Sequence, residues 1–183
     1  MKKKFWTSEK LLGLSALLVS LFTLVVFIYQ TNLIRKQQYM AVYPYLELGN
    51  YSPESLEYKY TLTNKGVGPA LIKSVEVRDR MGKSYNSIHE YLCNKLHTSD
   101  SVWTYRADIY EGRLISAEEE IILFGLFDEE QARSRGIPKN TTKGAIKLHH
   151  TLNSNDLVIK ITYESIYGES WTISKNSKIP VKN

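Results

Sequence analysis

Three groupings of side chains in the 183-residue chain are of types that do chemistry. His89 and Cys93 lie four apart in a stretch patterned as a helix, so they share a face, and a thiolate beside an imidazole is a nucleophile arrangement. That chemistry needs an electropositive setting and a third group to orient the ring, and the sequence shows neither. The pair reads instead as a small apolar thiol and a neighbour of the helix's apolar stripe. His149 and His150 are adjacent in segment 145–152, which alternates like a strand; there they point to opposite faces and cannot chelate one ion together. His97 stands alone, and no H-x-x-x-H or paired CxxC spacing occurs. Glu118, Glu119 and Glu120, with Asp128, Glu129 and Glu130, are oxygen-rich enough for calcium, but no D-x-D-x-D-G loop frames them, so they read as solvated edges. Any two could be paired on paper as glycosidase carboxylates, so composition nominates none. There is no G-x-x-x-x-G-K-[ST], G-x-G-x-x-G or G-x-S-x-G. No catalytic residue, metal or cofactor is expected.

The net charge of +5 is local. Lys2, Lys3, Lys4, Lys10, Arg35 and Lys36 against Glu9 supply all of it, leaving 18 basic and 18 acidic residues in the rest of the chain. A neutral body lacks the basic stripe that phosphate binding requires, which excludes a nucleic-acid partner.

Residues 11–29 run without a charge or a proline, and nineteen residues at 1.5 Å each span roughly 28 Å, the thickness of a bilayer's hydrocarbon core. A continuous helix satisfies every peptide group within itself, as lipid demands. Trp6 and Tyr29 flank the run as interfacial anchors. A buried core helix of this length would show a polar stripe. A cleaved signal peptide would have a shorter apolar region and small residues at its end, whereas residues 26–32 offer none of the A-x-A kind. No cysteine follows at a lipobox position. An uncleaved signal anchor in the cell inner membrane is expected, with a lipid bilayer as partner. Four lysines precede the span and only Arg35 and Lys36 closely follow it, which keeps the amino terminus (1–10) inside and translocates the rest; a cytoplasmic domain is the alternative. Gly13, Ala16, Ser20 and Thr23 stack along one side of the helix and form a candidate face for self-association or a membrane partner.

Residues 30–40 prolong the helix as a juxtamembrane stalk that must end before Pro44. From 41 to 183 the apolar residues mostly alternate, as in half-buried strands. Eight strands are expected: 42–49, 56–63, 70–79, 101–106, 120–126, 145–152, 157–163 and 169–174. Alternation slips between Ile72 and Val75, which predicts a bulge, and 120–126 is apolar on both faces, as in a central strand. Two helical insertions interrupt the pattern, 84–96 with Ser84 as N-cap and 127–135 with acidic residues first and arginines last. The predicted class is mainly β, a transmembrane helix followed by an antiparallel immunoglobulin-like β-sandwich with one or two short helices. Thirteen tyrosines, many on predicted strands, suit either a thin core or a contact face, and the core is favoured.

Asn64, Lys65, Gly66, Val67, Gly68, Pro69 and Ala70 join the second and third strands. Asn and Gly tolerate positive φ, the second glycine permits a close turn, and Pro69 enters a strand where no donor is needed. Together with Tyr43, Pro44, Tyr45 and Leu46, this turn resembles a segment recurring in uncharacterised bacterial single-pass membrane proteins that carry an immunoglobulin-like sandwich. The resemblance covers the anchor and about thirty residues. It implies fold and topology, with no activity attached. The expected role is non-enzymatic: an anchored binding or scaffold protein displaying its domain outside the cytoplasm to a protein or cell-envelope component. A sensor or effector subunit with a cytoplasmic domain is the alternative, and an anchored hydrolase a third.

Overall fold

The computed structural model describes residues 8–96, 102–177 and 179–183. Lys2, Lys3, Lys4, Trp6, His97 and Ser101 lie outside the described residues. The chain divides between Ala41 and Val42 into two compact units. The first contains α1 (Ser8–Ala41), a 34-residue helix none of whose residues is buried and whose apolar window has a mean hydropathy of 2.7. At 1.5 Å per residue it runs about 51 Å, longer than a hydrocarbon core. Its length and composition suit a membrane span or a signal. Four of its hydroxyls bond their own helix: Ser15, Ser20, Thr23 and Thr31 donate to the carbonyls of Leu12, Ala16, Val19 and Phe27 at 2.8–2.9 Å.

The second unit runs in the order β1 (Leu46–Tyr51), β2 (Lys59–Asn64), β3 (Ala70–Asp79), β4 (Ser84–Tyr85), α2 (Ile88–Lys95), β5 (Thr104–Tyr105), β6 (Leu114–Ile115), β7 (Glu120–Leu126), α3 (Glu129–Ser134), α4 (Thr142–Asn153), β8 (Leu157–Glu164), β9 (Ser170–Ser174) and β10 (Val181–Lys182). These strands form two antiparallel sheets. The first is ordered β1-β2-β7-β5; the second is ordered β10-β9-β8-β3-β4, with β6 also on β3. Both contribute to one core: Leu46, Tyr60, Leu62 and Leu123 come from the first, and Ile72, Ile159, Ile161 and Tyr163 from the second. The Leu46 amide donates to the Tyr163 hydroxyl at 3.3 Å, a polar tie between the sheets inside the core. Tyr58, Tyr60, Tyr91 and Tyr163 are fully buried, so these tyrosines pack the interior.

The predicted strands at 70–79 and 120–126 form as expected, and the β3–β8 register shifts between Ile72 and Ser74, where the bulge was predicted. β7 lies between β2 and β5 and is buried on both faces along most of its length. Other expectations fail, and the strand predicted at 101–106 is reduced to Thr104–Tyr105. Residues 42–45 do not pair as a strand, because their carbonyls are taken by the turn that follows β2: Lys65 N donates to Tyr45 O at 2.7 Å and Val67 N to Tyr43 O at 3.0 Å. Residues 52–58 are a turn, with Ser52 and Glu54 at φ +46° and +63°, so β2 starts only at Lys59. Segment 145–152 is helical. Ala145, Leu148 and Leu152 are its buried side chains, at spacings of three and four, and the Thr141 side chain caps the helix by accepting from Gly144 N at 3.1 Å. The helix predicted from 84 begins later, because Ser84 and Tyr85 pair with β3 and Ser87 is the N-cap. Near 127–135 the Asp128 cap and its reciprocal Gln131 bond define α3, and Gly136 follows at φ +63°.

Lys175, just past β9, pegs that strand's end to the α4–β8 connection: its ammonium donates to the carbonyls of Ser154 and, at 3.3 Å, Leu157. Burial pushes it down to about 8, against the opposing pull of the Asp156 carboxylate. Between about 8 and its ordinary 10.5 the unfolded chain holds a proton that the folded chain lacks. Stability therefore rises with pH through that window; below it the folded state bears the full penalty, and above it none. Urea titrations should show wild type gaining on Lys175→Met from about pH 8 to 10.5. A constant difference would mean that this amine stays well solvated.

Candidate functional site

Turning segment 145–152 into a helix changes what its histidines can reach. On α4, His149 and His150 sit about 100° apart rather than on opposite faces, and both turn toward the loop ahead of β2. Glu54 Oε1 lies 3.8 Å from His149 Nδ1 and 3.6 Å from His150 Nε2. Among the described residues, these three side chains form the one group of three whose metal-binding atoms converge, all within 4.8 Å of one another.

Each member is held by its own element. Glu54 projects from a turn closed by Ser52 and Ser55: Ser55 N and Oγ both donate to Ser52 O, at 3.3 and 2.9 Å, and Tyr58 N donates to Ser55 O at 3.3 Å. α4 is clasped to β1 by a reciprocal amide pair. Asn50 Nδ2 donates to Asn153 Oδ1 at 2.9 Å and Asn153 Nδ2 to Asn50 Oδ1 at 3.0 Å, while the Tyr58 hydroxyl donates to Asn50 Oδ1 at 2.7 Å. The Tyr58 ring meets the His149 imidazole edge-on at 5.3 Å and sets its plane. His149 is mostly buried and its Nδ1 has no hydrogen-bond partner. Burial, and secondarily the His150 ring, hold His149 below the usual imidazole range, with Glu54 opposing. Neutral imidazoles leave ring nitrogens free to accept or to ligate. His150 is exposed and borders an open groove of about 340 Å³ between α2 and α4, shared with Lys95, Thr151 and Asp156.

His89 and Cys93 do meet on α2, with Sγ 3.4 Å from Nε2, and the thiol is exposed. Burial, then Arg106, lower the affinity of His89 for a proton, with Asp108 opposing. Among the described residues no hydrogen bond from a third group orients that ring, and the adjoining cavity of about 30 Å³ is the size of one water. The carboxylate clusters have local duties. Glu119 Oε2 accepts from Ser116 N at 2.8 Å, Asp128 caps α3, and Glu129 pairs with Lys139 at 2.8 Å. On α1, Gly13 has open space around it, and Ser20 and Thr23 bond their own helix. Pairing through Gly13, Ala16, Ser20 and Thr23 would therefore rest on close backbone packing.

The turn at Asn64, Gly66, Gly68 and Pro69 is a structural hub. Asn64 is fully buried; its Oδ1 accepts from Tyr45 N at 3.1 Å and Gly66 N at 3.0 Å, and its Nδ2 donates to the carbonyls of Gly68, Ile115 and Ser116 at 2.8, 3.2 and 3.1 Å. One amide, at the end of β2, thus joins the segment leading into β1, the turn and β6, and β2 and β6 belong to different sheets. Neither Gly66 nor Gly68 takes a left-handed φ. They are needed because a Cβ on Gly66 would strike Tyr43 O and Tyr45 N, and one on Gly68 would strike Val42 O. No family model, curated protein or solved structure matches the chain.

Proposed function

We propose that the protein is a non-enzymatic, membrane-anchored binding or scaffold protein. Its single span keeps the amino terminus inside and holds an immunoglobulin-like β-sandwich outside the cytoplasm, toward a protein or cell-envelope component. The carrying observation is α1, a helix with a charge-free run of nineteen residues and no buried residue. The excess of lysines before that run favours the orientation. The two antiparallel sheets sharing one core, together with the turn at 64–70, favour the sandwich reading. Support for a binding role over catalysis comes from three interior polar side chains that serve architecture. Asn64 ties the two sheets, Asp79 Oδ1 accepts from Met81 N and Lys83 N at 3.0 and 2.9 Å, and Asn140 bonds both backbone groups of Trp103 at 2.8 Å.

Protease added to intact spheroplasts should digest residues beyond the stalk and leave a short membrane-embedded fragment, and alkaline carbonate should not release the full chain. Complete protection of the domain would reject the orientation in favour of a cytoplasmic sensor or effector subunit. Extraction by carbonate would reject the anchor itself.

A further inference from the structure

We propose that Glu54 Oε1, His149 Nδ1 and His150 Nε2 bind one divalent transition-metal ion of the zinc class, with solvent completing its coordination. Zinc holds imidazole nitrogen at about 2.0–2.1 Å and carboxylate oxygen at about 2.0–2.2 Å, so neighbouring donors on a tetrahedral ion stand roughly 3.4 Å apart. The two edges through Glu54 measure 3.8 and 3.6 Å, and one ligand atom from each of the three residues lies within 4.8 Å of the other two. Glu54 and His150 are exposed side chains, so small rotations of these two close the triangle on the better-fixed His149. The donor set chooses the ion. Two imidazoles with one carboxylate suit zinc and its first-row neighbours, whereas calcium and magnesium require oxygen ligands.

Two further observations point to a ligand. His149 Nδ1 is buried, lacks a hydrogen-bond partner and lies near the Glu54 carboxylate, which is how a ligating atom sits before its ion arrives. Its ring and backbone are also held in place: the Tyr58 ring packs edge-on against the imidazole, Asn153 Nδ2 donates to the His149 carbonyl at 2.9 Å, and the Asn50–Asn153 pair holds that end of the helix. Three protein donors leave at least one position to water, so the ion would be open to an outside ligand. The proposal is independent of which side of the membrane the domain occupies.

Calorimetric titration of Zn²⁺ into the detergent-solubilised full chain should give one site per copy. The melting midpoint should rise with Zn²⁺, and Co²⁺ should develop a visible absorption band at the same stoichiometry. His150→Gln and Glu54→Gln alter exposed side chains and should melt like wild type without metal, yet each should weaken Zn²⁺ binding at least tenfold and abolish the Zn²⁺-dependent rise. Excess Mg²⁺ or Ca²⁺ should not compete. Absence of Zn²⁺ binding, undiminished binding in both variants, or binding lost in Cys93→Ser but kept in His150→Gln would overturn the assignment.

Discussion

Replacing Asn64 with alanine should destabilise the folded domain by about 4 kcal/mol, a drop of roughly 12 °C in melting temperature and a large part of the stability of an ordinary domain. The side chain makes hydrogen bonds to five backbone groups, and those to Gly66 N, Gly68 O and Ile115 O are buried from water. Truncation leaves these groups unpaired where no solvent can replace the amide, and a buried orphan costs about 1–3 kcal/mol. Asn64→Asp makes a sharper test, because it preserves shape and the acceptor for Tyr45 N and Gly66 N. It replaces the donor with a carboxylate oxygen facing three carbonyls, so the loss should equal or exceed that of alanine. Urea unfolding of the full chain followed by tryptophan fluorescence measures both. A loss below about 1 kcal/mol for either variant would show that the sheets are not held by this amide.

Gly68→Ala should be nearly as damaging, at about 3 kcal/mol, and for a different reason. The added methyl would occupy the place of the Val42 carbonyl, and a backbone group bound into a neighbouring segment cannot step aside as a side chain can. Relief would require lifting residues 42–45 from the turn, breaking the bonds from Lys65 N to Tyr45 O and from Val67 N to Tyr43 O. Gly125→Ala supplies the contrast. There the methyl would meet the ring of Tyr105, a half-buried side chain on the two-residue edge strand β5, which can swing outward, so the loss should be about 1 kcal/mol. Equal losses at the two glycines would contradict this distinction between rigid and yielding neighbours.

Long elements with a clean period were legible from sequence. β3, β7 and most of β8 fall where alternation places them, and the skipped beat after Ile72 marks a true register shift. What escaped has physical causes. In segment 145–152, Ile146 and Leu148 alternate with Lys147 and His149 over too few residues to separate a strand from a helix. The deciding signals were the Thr141 cap and the spacing of Ala145, Leu148 and Leu152. β4, β6 and β10 are two residues long and have no period to read. The site was lost with the helix: strand geometry separates His149 from His150, and Glu54 lies nearly a hundred positions upstream in a turn without a motif. The glycines of the 64–70 turn were recognised, with a close turn expected at the second, but the backbone they approach, residues 42–45, is a tertiary fact.

Cys93 is the single cysteine of the sequence, and it faces solvent on α2. A maleimide unable to cross lipid would therefore label the native chain at one address, and only from the side on which the domain resides. In an oxidising compartment the same thiol gives each copy a valence of one. Covalent linkage stops at pairs, and no cross-linked network can grow from this chain.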